Sequence, residues 1–234
     1  MLLIAMLRTV NIAANPVILS TRSHGFTHEF YPLINRYNYV IAKVDINGAP
    51  IYLDATNRYL AYAVLPARVY NGQAREITNN LAIPIVFVAD SLKEKSNTLG
   101  FINNLEKGGV EGFYSHELGT YEAEAFRINM TKTKLDDFKK SLQQEYTEEV
   151  VLENIHVDSL KLLKEPVAVK FDFKLTSFGE EDIIYFSPML GEVIKKNVFT
   201  AAERYYPVEM PYTIDKTYNL TMEIPKGYKV DELP

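Results

Sequence analysis

The 234-residue sequence contains no cysteine and no tryptophan. The lack of cysteine excludes disulfides, thiolate zinc sites, iron–sulfur clusters and a cysteine nucleophile within this chain. The imidazoles available for metal binding or base catalysis are His24, His28, His116 and His156. The sequence therefore restricts chemistry more than it suggests any.

The charged side chains show no strong excess of either sign. The 25 basic and 30 acidic residues are interspersed and give a formal net charge of -5. This pattern provides no electrostatic surface for nucleic acid or an anionic membrane, so neither partner is expected. No stretch approaches the ~18 apolar residues of a transmembrane helix. With 47% hydrophobic and 24% charged residues, the composition is that of a globular chain with one or two domains.

The first ten residues are mostly apolar and have no N-cap residue before them. Leu3, Met6, Leu7 and Val10 follow helical spacing, which predicts a helix with one buried face. Arg8 interrupts the apolar run early, which is unlike a secretory signal peptide. We expect this helix to be the remainder of a longer one, truncated at its N-terminus. Its uncovered apolar surface would then favour self-association or partner docking.

A β-hairpin is predicted over residues 37–54, with Asn47-Gly48 at its turn. Pro50 leaves a turn of two or of four residues open. Both lengths give the same pairing parity, which places Asp54 on the same face of the hairpin as Tyr39.

An irregular stretch predicts a boundary near residue 82, with domains at 1–82 and 83–234. In the second domain we expect a hairpin around Gly108-Gly109, a strand-like alternation over 121–128, and one helix behind a capping box at Thr133. Five further β-rich runs at sandwich-like spacing cover 150–157, 167–176, 182–186, 205–210 and 218–224. The predicted fold class is α+β, with a sandwich-like second domain.

The side chains that could carry chemistry form no convincing motif. His24 and His28 lie beside Glu29 in a loop, where spacing fixes no metal geometry. His116 and His156 are isolated in β-rich segments. Neither a serine-hydrolase turn nor a phosphate-binding glycine loop is present, and no cofactor or metal is expected. The serines and glycines that fail these two motifs are Ser20, Ser187, Gly108, Gly109 and Gly112. The consecutive carboxylates Glu180, Glu181 and Asp182 fan outward, and we interpret them as a solvated turn.

Residues 2–22, Tyr37-Asn38-Tyr39-Val40-Ile41-Ala42 and Tyr52-Leu53-Asp54-Ala55-Thr56 together resemble the transglutaminase-like core of the papain-type fold. In that family a helix carries a nucleophilic cysteine at its N-terminus, and strands supply a histidine and an aspartate. The resemblance implies that Asp54 matches the family aspartate and that Tyr39 stands at the family histidine. The cysteine would lie upstream of Met1.

The resemblance implies a degenerate active site with vestigial triad positions Tyr39 and Asp54. Acyl transfer needs a thiolate, an imidazole that activates it and a carboxylate that orients the imidazole. A phenol, which ionises near pH ~10 in model peptides, is a poor base at neutral pH. We therefore expect no active catalytic residue in this chain.

Residues 197–208 and 223–234 are similar to the β-rich domain of unknown function that commonly follows such a core in large exported bacterial proteins. The resemblance thus implies a periplasmic or cell-surface location.

Three functions stay open at this point. The first is a non-catalytic fragment with a binding, scaffolding or assembly role and a protein or peptide partner. The second is part of a larger cysteine peptidase or transglutaminase, with its nucleophile upstream and His24 or His28 as base. The third is a glycan- or peptide-binding module that uses some of the 16 tyrosines and 12 phenylalanines.

Overall fold

The computed structural model describes residues 1–106, 108–146, 149–175 and 208–232, together with 183, 185–186, 197, 199–200 and 203–205. The chain forms two compact units, one from Met1–Glu94 with Glu209–Asp215 and one from Lys95–Val208 with Lys216–Pro234. Most elements are strands and a few are helices, in agreement with the predicted α+β class. The domain boundary near residue 82 stays a prediction. No helix in the described parts is long and apolar enough to cross a membrane.

The first unit contains a short helix and an antiparallel sheet. Its elements are α1 (Leu2–Thr9), β1 (Ala14–Leu19), β2 (Tyr39–Ile46), β3 (Ala49–Leu53), β4 (Gly72–Ile77) and β5 (Ala82–Phe87). The strands lie in the order β3-β2-β1-β4-β5.

The turn between β2 and β3 is the tighter of the two predicted forms. Ile46 pairs with Ala49, so two residues make the connection. Asn47 and Gly48 have φ values of 53° and 80°, the left-handed conformations that a type I′ hairpin turn requires. Pro50 does not lengthen the turn, because β3 is an edge strand and proline is tolerated there.

The two faces of this sheet have separate cores. On one face α1 packs against Ala14, Ala42 and Val44, mainly through Ile4. The opposite face carries a larger buried cluster, made of Val17, Leu19, Ile41, Leu65, Val69, Ala74 and Phe87.

The predicted buried stripe of α1 is partly wrong. Leu3 and Leu7 pack on the sheet with Ile4, but Met6 and Val10 are 58% and 64% exposed. The helix ends at Thr9, so Val10 already lies beyond it and turns away from the sheet. Leu2, which is 76% exposed, lies four residues before Met6 on the outward side.

The second sheet has the order β10-β6-β7-β9-β8 and is accompanied by two helices. Its elements are β6 (Lys93–Asn104), β7 (Val110–Glu117), α2 (Thr120–Asn129), α3 (Leu135–Gln144), β8 (Val150–Asp158), β9 (Ala168–Leu175) and β10 (Thr213–Met222). The predicted hairpin is formed by β6 and β7. Within the described ranges this region has one sheet and two helices, and a second facing sheet is not observed.

Two local predictions in the second domain are wrong. Residues 121–128, predicted as a strand-like segment, belong to helix α2. Their alanine and glutamate content favours a helix, and the helix buries Ala123 and Arg127 on one side. The helix α3 is present, but its N-cap is Lys134 and no side chain caps it. Thr133 bonds to Asn129 instead of closing a capping box.

Strands β8, β9 and β10 account for the predicted runs at 150–157, 167–176 and 218–224. Residue 176 lies outside the described residues. In the predicted runs at 182–186 and 205–210, residues 182, 184, 206 and 207 lie outside the described residues. The described residues 183, 185–186, 205 and 208–210 are not in strands, so the prediction is wrong for them.

The first residues of the free edge of β8 are covered by a side chain from α3. Gln143 Nε2 donates to the Val150 carbonyl at 2.8 Å, and the Leu152 N–H donates to Gln143 Oε1 at 2.8 Å. One amide side chain therefore satisfies a donor and an acceptor that an added strand would otherwise pair with.

Candidate functional site

Tyr39 is held at the first residue of β2 by the segment that follows β1. The Asn38 N–H donates to the Leu19 carbonyl at 3.1 Å, and the Thr21 N–H donates to Asn38 Oδ1 at 2.9 Å. Asn38 Nδ2 returns a bond to Thr21 Oγ1 at 2.9 Å. Thr21 is buried, so these bonds fix the backbone on the N-terminal side of Tyr39.

Asp54 directly follows β3 and meets Tyr39 across the hairpin. Tyr39 Oη donates to Asp54 Oδ2 at 2.7 Å. This contact confirms the predicted parity. Ala42 pairs with Leu53, so Asp54, the residue after Leu53, points to the side of Ile41 and Tyr39.

Thr56 orients the carboxylate of Asp54. Its N–H and its Oγ1 both bond to Asp54 Oδ1, at 2.8 and 2.7 Å. Thr56 Oγ1 also lies 2.6 Å from Tyr39 Oη. Both oxygens of Asp54 therefore accept hydrogen bonds, and the turn after β3 is fixed by its own side chains.

Arg68 completes the site and was missed by the sequence analysis. Its Nη2 donates to Tyr39 Oη at 3.0 Å, and its Cζ lies 5.3 Å from the centre of the Tyr39 ring. The neighbouring Leu65 and Val69 are buried in the sheet core, which brings Arg68 over the hairpin. An arginine flanked by apolar residues after Leu65-Pro66 was the available indication. We call Tyr39, Asp54, Thr56 and Arg68 the Tyr39 cluster.

The Tyr39 cluster can orient groups and contains neither a thiol nor an imidazole. The phenol donates a hydrogen bond to a carboxylate and accepts one from a guanidinium. The Thr56 hydroxyl bonds to the same carboxylate and lies 2.6 Å from the phenol oxygen. Helix α1 packs on the opposite face of the sheet, since Ala42 and Val44 alternate with Ile41. No residue of α1 in this structure therefore belongs to the cluster.

The histidines considered in the sequence analysis do not join the Tyr39 cluster. His24 Nε2 lies 3.3 Å from the Asn35 carbonyl, and His28 Nδ1 accepts the Phe30 N–H at 3.1 Å. His116 Nδ1 lies 2.7 Å from Thr98 Oγ1, and His156 pairs with Asp158 at 2.6 Å. Among the described residues, no three potential ligands converge on a metal position.

The other candidates also stay apart from the cluster. Ser20 Oγ donates to the Gly25 carbonyl at 2.6 Å and is buried. Gly108 and Gly109 lie in the turn between β6 and β7, and Gly112 lies within β7. Glu180, Glu181, Asp182 and Ser187 lie outside the described residues.

An ion pair between a buried carboxylate and a partly buried lysine lies on the same sheet face as Tyr39. Lys43 Nζ bonds to Glu76 Oε2 at 2.8 Å, and Asn15 Nδ2 donates to Glu76 Oε1 at 2.7 Å. Burial raises the pKa of Glu76, but the bonds from Lys43 and Asn15 outweigh burial and hold that pKa below its ordinary value. The bond to Glu76 raises the pKa of Lys43, against an opposing effect of burial.

No curated protein and no solved structure matches the chain. The transglutaminase-like resemblance of residues 2–56 has no family match and stays a proposal. One family model does match, over residues 182–234, and its description is "Domain of Unknown Function with solved-structure structure (DUF3858)". This range contains both C-terminal stretches that resembled a domain of unknown function, so that part of the resemblance is confirmed.

Proposed function

We propose that the first unit is a transglutaminase-like core without catalytic residues, and that the chain serves a binding, scaffolding or assembly role. The observation that carries this proposal is the hydrogen bond from Tyr39 Oη to Asp54 Oδ2. The family aspartate is matched and still holds a partner across the hairpin, but the partner is a phenol where the family has an imidazole.

A phenol in this position cannot replace the histidine. The general base of acyl transfer takes a proton from the nucleophile and returns it to the leaving group near neutral pH. Tyr39 Oη donates a hydrogen bond to Asp54 and accepts one from Arg68, so both capacities of its oxygen are engaged within the protein. The sequence also has no cysteine to be activated.

Exposed apolar side chains support a binding role. The segment after Gly25 presents several large apolar residues to solvent, namely Phe26, Phe30, Tyr31, Leu33 and Ile34. The rings of Phe30 and Tyr31 lie 5.9 and 5.4 Å from the His28 ring, which gives part of this surface a defined shape. Contiguous exposed apolar surface is typical of protein or peptide contacts. An exported location, which the resemblance implies, belongs to the same proposal.

The test compares this chain with a version extended by any residues encoded upstream. Each is incubated with a glutamine-containing peptide and a primary amine, and ammonia release and peptide cleavage are measured. We expect no turnover from either protein, and the same result for Asp54→Asn.

Turnover by the extended version that is lost in Asp54→Asn would instead establish the cysteine-enzyme alternative. Saturable binding on a glycan array, in the absence of peptide binding, would favour the glycan-binding module.

A further inference from the structure

An open cavity of about 430 Å³ lies at one end of the first sheet. It is lined by Arg8, by residues 13–15 at the start of β1, and by residues 78–80 in the turn after β4. Pockets that hold small molecules have volumes of ~300–1,000 Å³, so the size suits a small ligand. The lining contains one cation, three side-chain amides, one hydroxyl and no carboxylate, which favours a negatively charged ligand over an apolar one.

Arg8 is held in place by the backbone. Its Nε and Nη2 both donate to the Ala14 carbonyl, at 3.0 and 2.7 Å. Its Nη1 group has no acceptor in the described parts of the chain. A guanidinium whose orientation is already fixed binds an oxyanion with little further loss of conformational entropy.

The turn after β4 supplies neutral donors on the other side of the cavity. Thr78 and Leu81 fix this turn, since the Thr78 N–H donates to the Leu81 carbonyl at 2.9 Å and the Leu81 N–H donates to Thr78 Oγ1 at 3.0 Å. Asn79 and Asn80 between them are exposed, and within the described residues their side-chain amides make no hydrogen bond. Their amides are thus available to a ligand, whereas Asn15 Nδ2 is engaged by Glu76.

We propose that this cavity binds a small molecule through an oxyanion group, a carboxylate or a phosphate. Arg8 is the charged anchor, and Asn79 and Asn80 donate further hydrogen bonds. The site is separate from the Tyr39 cluster and does not rest on the transglutaminase-like resemblance.

The test is a titration of the isotope-labelled chain followed by amide NMR. Succinate and inorganic phosphate are the probes, and succinamide is the uncharged analogue of succinate. We expect saturable shifts of the Arg8 Nε–H and of the side-chain amides of Asn79 and Asn80 with at least one anion. Tighter binding of succinate identifies a carboxylate ligand, and tighter binding of phosphate identifies a phosphate ligand. Shifts that do not saturate with either anion, or equal binding of succinamide, would overturn the proposal.

Variants separate binding from folding. Arg8→Gln should weaken binding about tenfold or more, because a charge-assisted bond is lost. Since Arg8 also bonds to Ala14, the exposed pair Asn79→Ala and Asn80→Ala provides a second test and should weaken binding several-fold. Arg36→Gln, an exposed arginine outside the cavity, should leave binding unchanged. Undiminished affinity in both the Arg8 variant and the asparagine double variant would contradict the assigned site.

Discussion

Arg68 Nη2 donates to Tyr39 Oη at 3.0 Å while the guanidinium covers the ring of the same tyrosine. On its other side, Tyr39 Oη donates to Asp54 at 2.7 Å. A cation and an anion that do not touch are thus connected through one phenol oxygen. This arrangement gives the Tyr39 hydroxyl a structural role that can be measured without any assumption about catalysis.

Tyr39→Phe should destabilise the first unit by about 1–2 kcal/mol, because it removes the hydroxyl that bonds to Asp54 and Arg68 but keeps the ring. Urea unfolding measures the change. The control is Tyr62→Phe, since Tyr62 is 63% exposed and its hydroxyl makes no hydrogen bond in the described parts. Equal stability of the Tyr39 variant and the wild type would show that the cluster does not hold the hairpin.

Replacing Lys43 alone should destabilise the fold far more than replacing both Lys43 and Glu76, because the carboxylate of Glu76 is buried. Lys43→Met leaves the carboxylate of Glu76 buried without its cation, which costs about 3–5 kcal/mol. The double variant Lys43→Met, Glu76→Met should recover most of this loss.

The exposed pair Lys93–Asp215 is the matched control, with a 3.2 Å separation and side chains that are 58% and 43% exposed. Lys93→Met should change the free energy of unfolding by less than about 1 kcal/mol. If the double variant lost as much free energy of unfolding as the two single variants together, the Lys43 and Glu76 side chains would not interact.

Glu76 should also make stability pH-dependent on the acid side. Its pKa is lower in the folded protein than the usual glutamate value. Its contribution is therefore fully present above that usual value and is lost as the pH falls through the lower, folded-state pKa. Unfolding free energies measured between pH 7 and pH 3 should fall less steeply in the double methionine variant than in the wild type. If the free energy of unfolding fell equally with pH in both proteins, the lowered pKa of Glu76 would be contradicted.

Gly112→Ala should destabilise the second sheet by about 1–3 kcal/mol, whereas Gly100→Ala should have a smaller effect. A Cβ at Gly112 would overlap the Phe101 carbonyl and the Phe173 ring, and a carbonyl in a paired strand cannot move aside. A Cβ at Gly100 would overlap the end of the Leu220 side chain, at 2.8 Å, which can rotate away, and would lie at an ordinary 4.0 Å from the Asn219 carbonyl. Thermal unfolding of the two variants measures both losses of stability. A larger loss in Gly100→Ala than in Gly112→Ala would contradict this prediction.

The outward side of α1 should promote self-association. Leu2, Met6 and Val10 repeat every four residues and are all more than half exposed. Light scattering should show a mass that rises with protein concentration, and Met6→Glu should suppress the rise. Leu162→Glu, at an equally exposed position in the second unit, is the control. A concentration-independent monomer would contradict this prediction.

The features that the sequence predicted are local ones. Asn47-Gly48 requires positive φ values that few other dipeptides adopt, so the hairpin and the meeting of Tyr39 with Asp54 follow from adjacent residues. The missed features depend on segments that are distant in sequence. Arg68 reaches Tyr39 from a loop, and Lys43 meets Glu76 only because β1 lies between β2 and β4. Helix α2 was missed because alternation and helical spacing coincide in a short segment, where residue propensity decides.

The Gln143 side chain blocks part of the free edge of the second sheet. Its amide is hydrogen-bonded to the Val150 carbonyl and the Leu152 N–H. A strand from another molecule would therefore first have to displace this side chain. Edge-to-edge pairing of two copies is thereby hindered at this part of β8, next to α3.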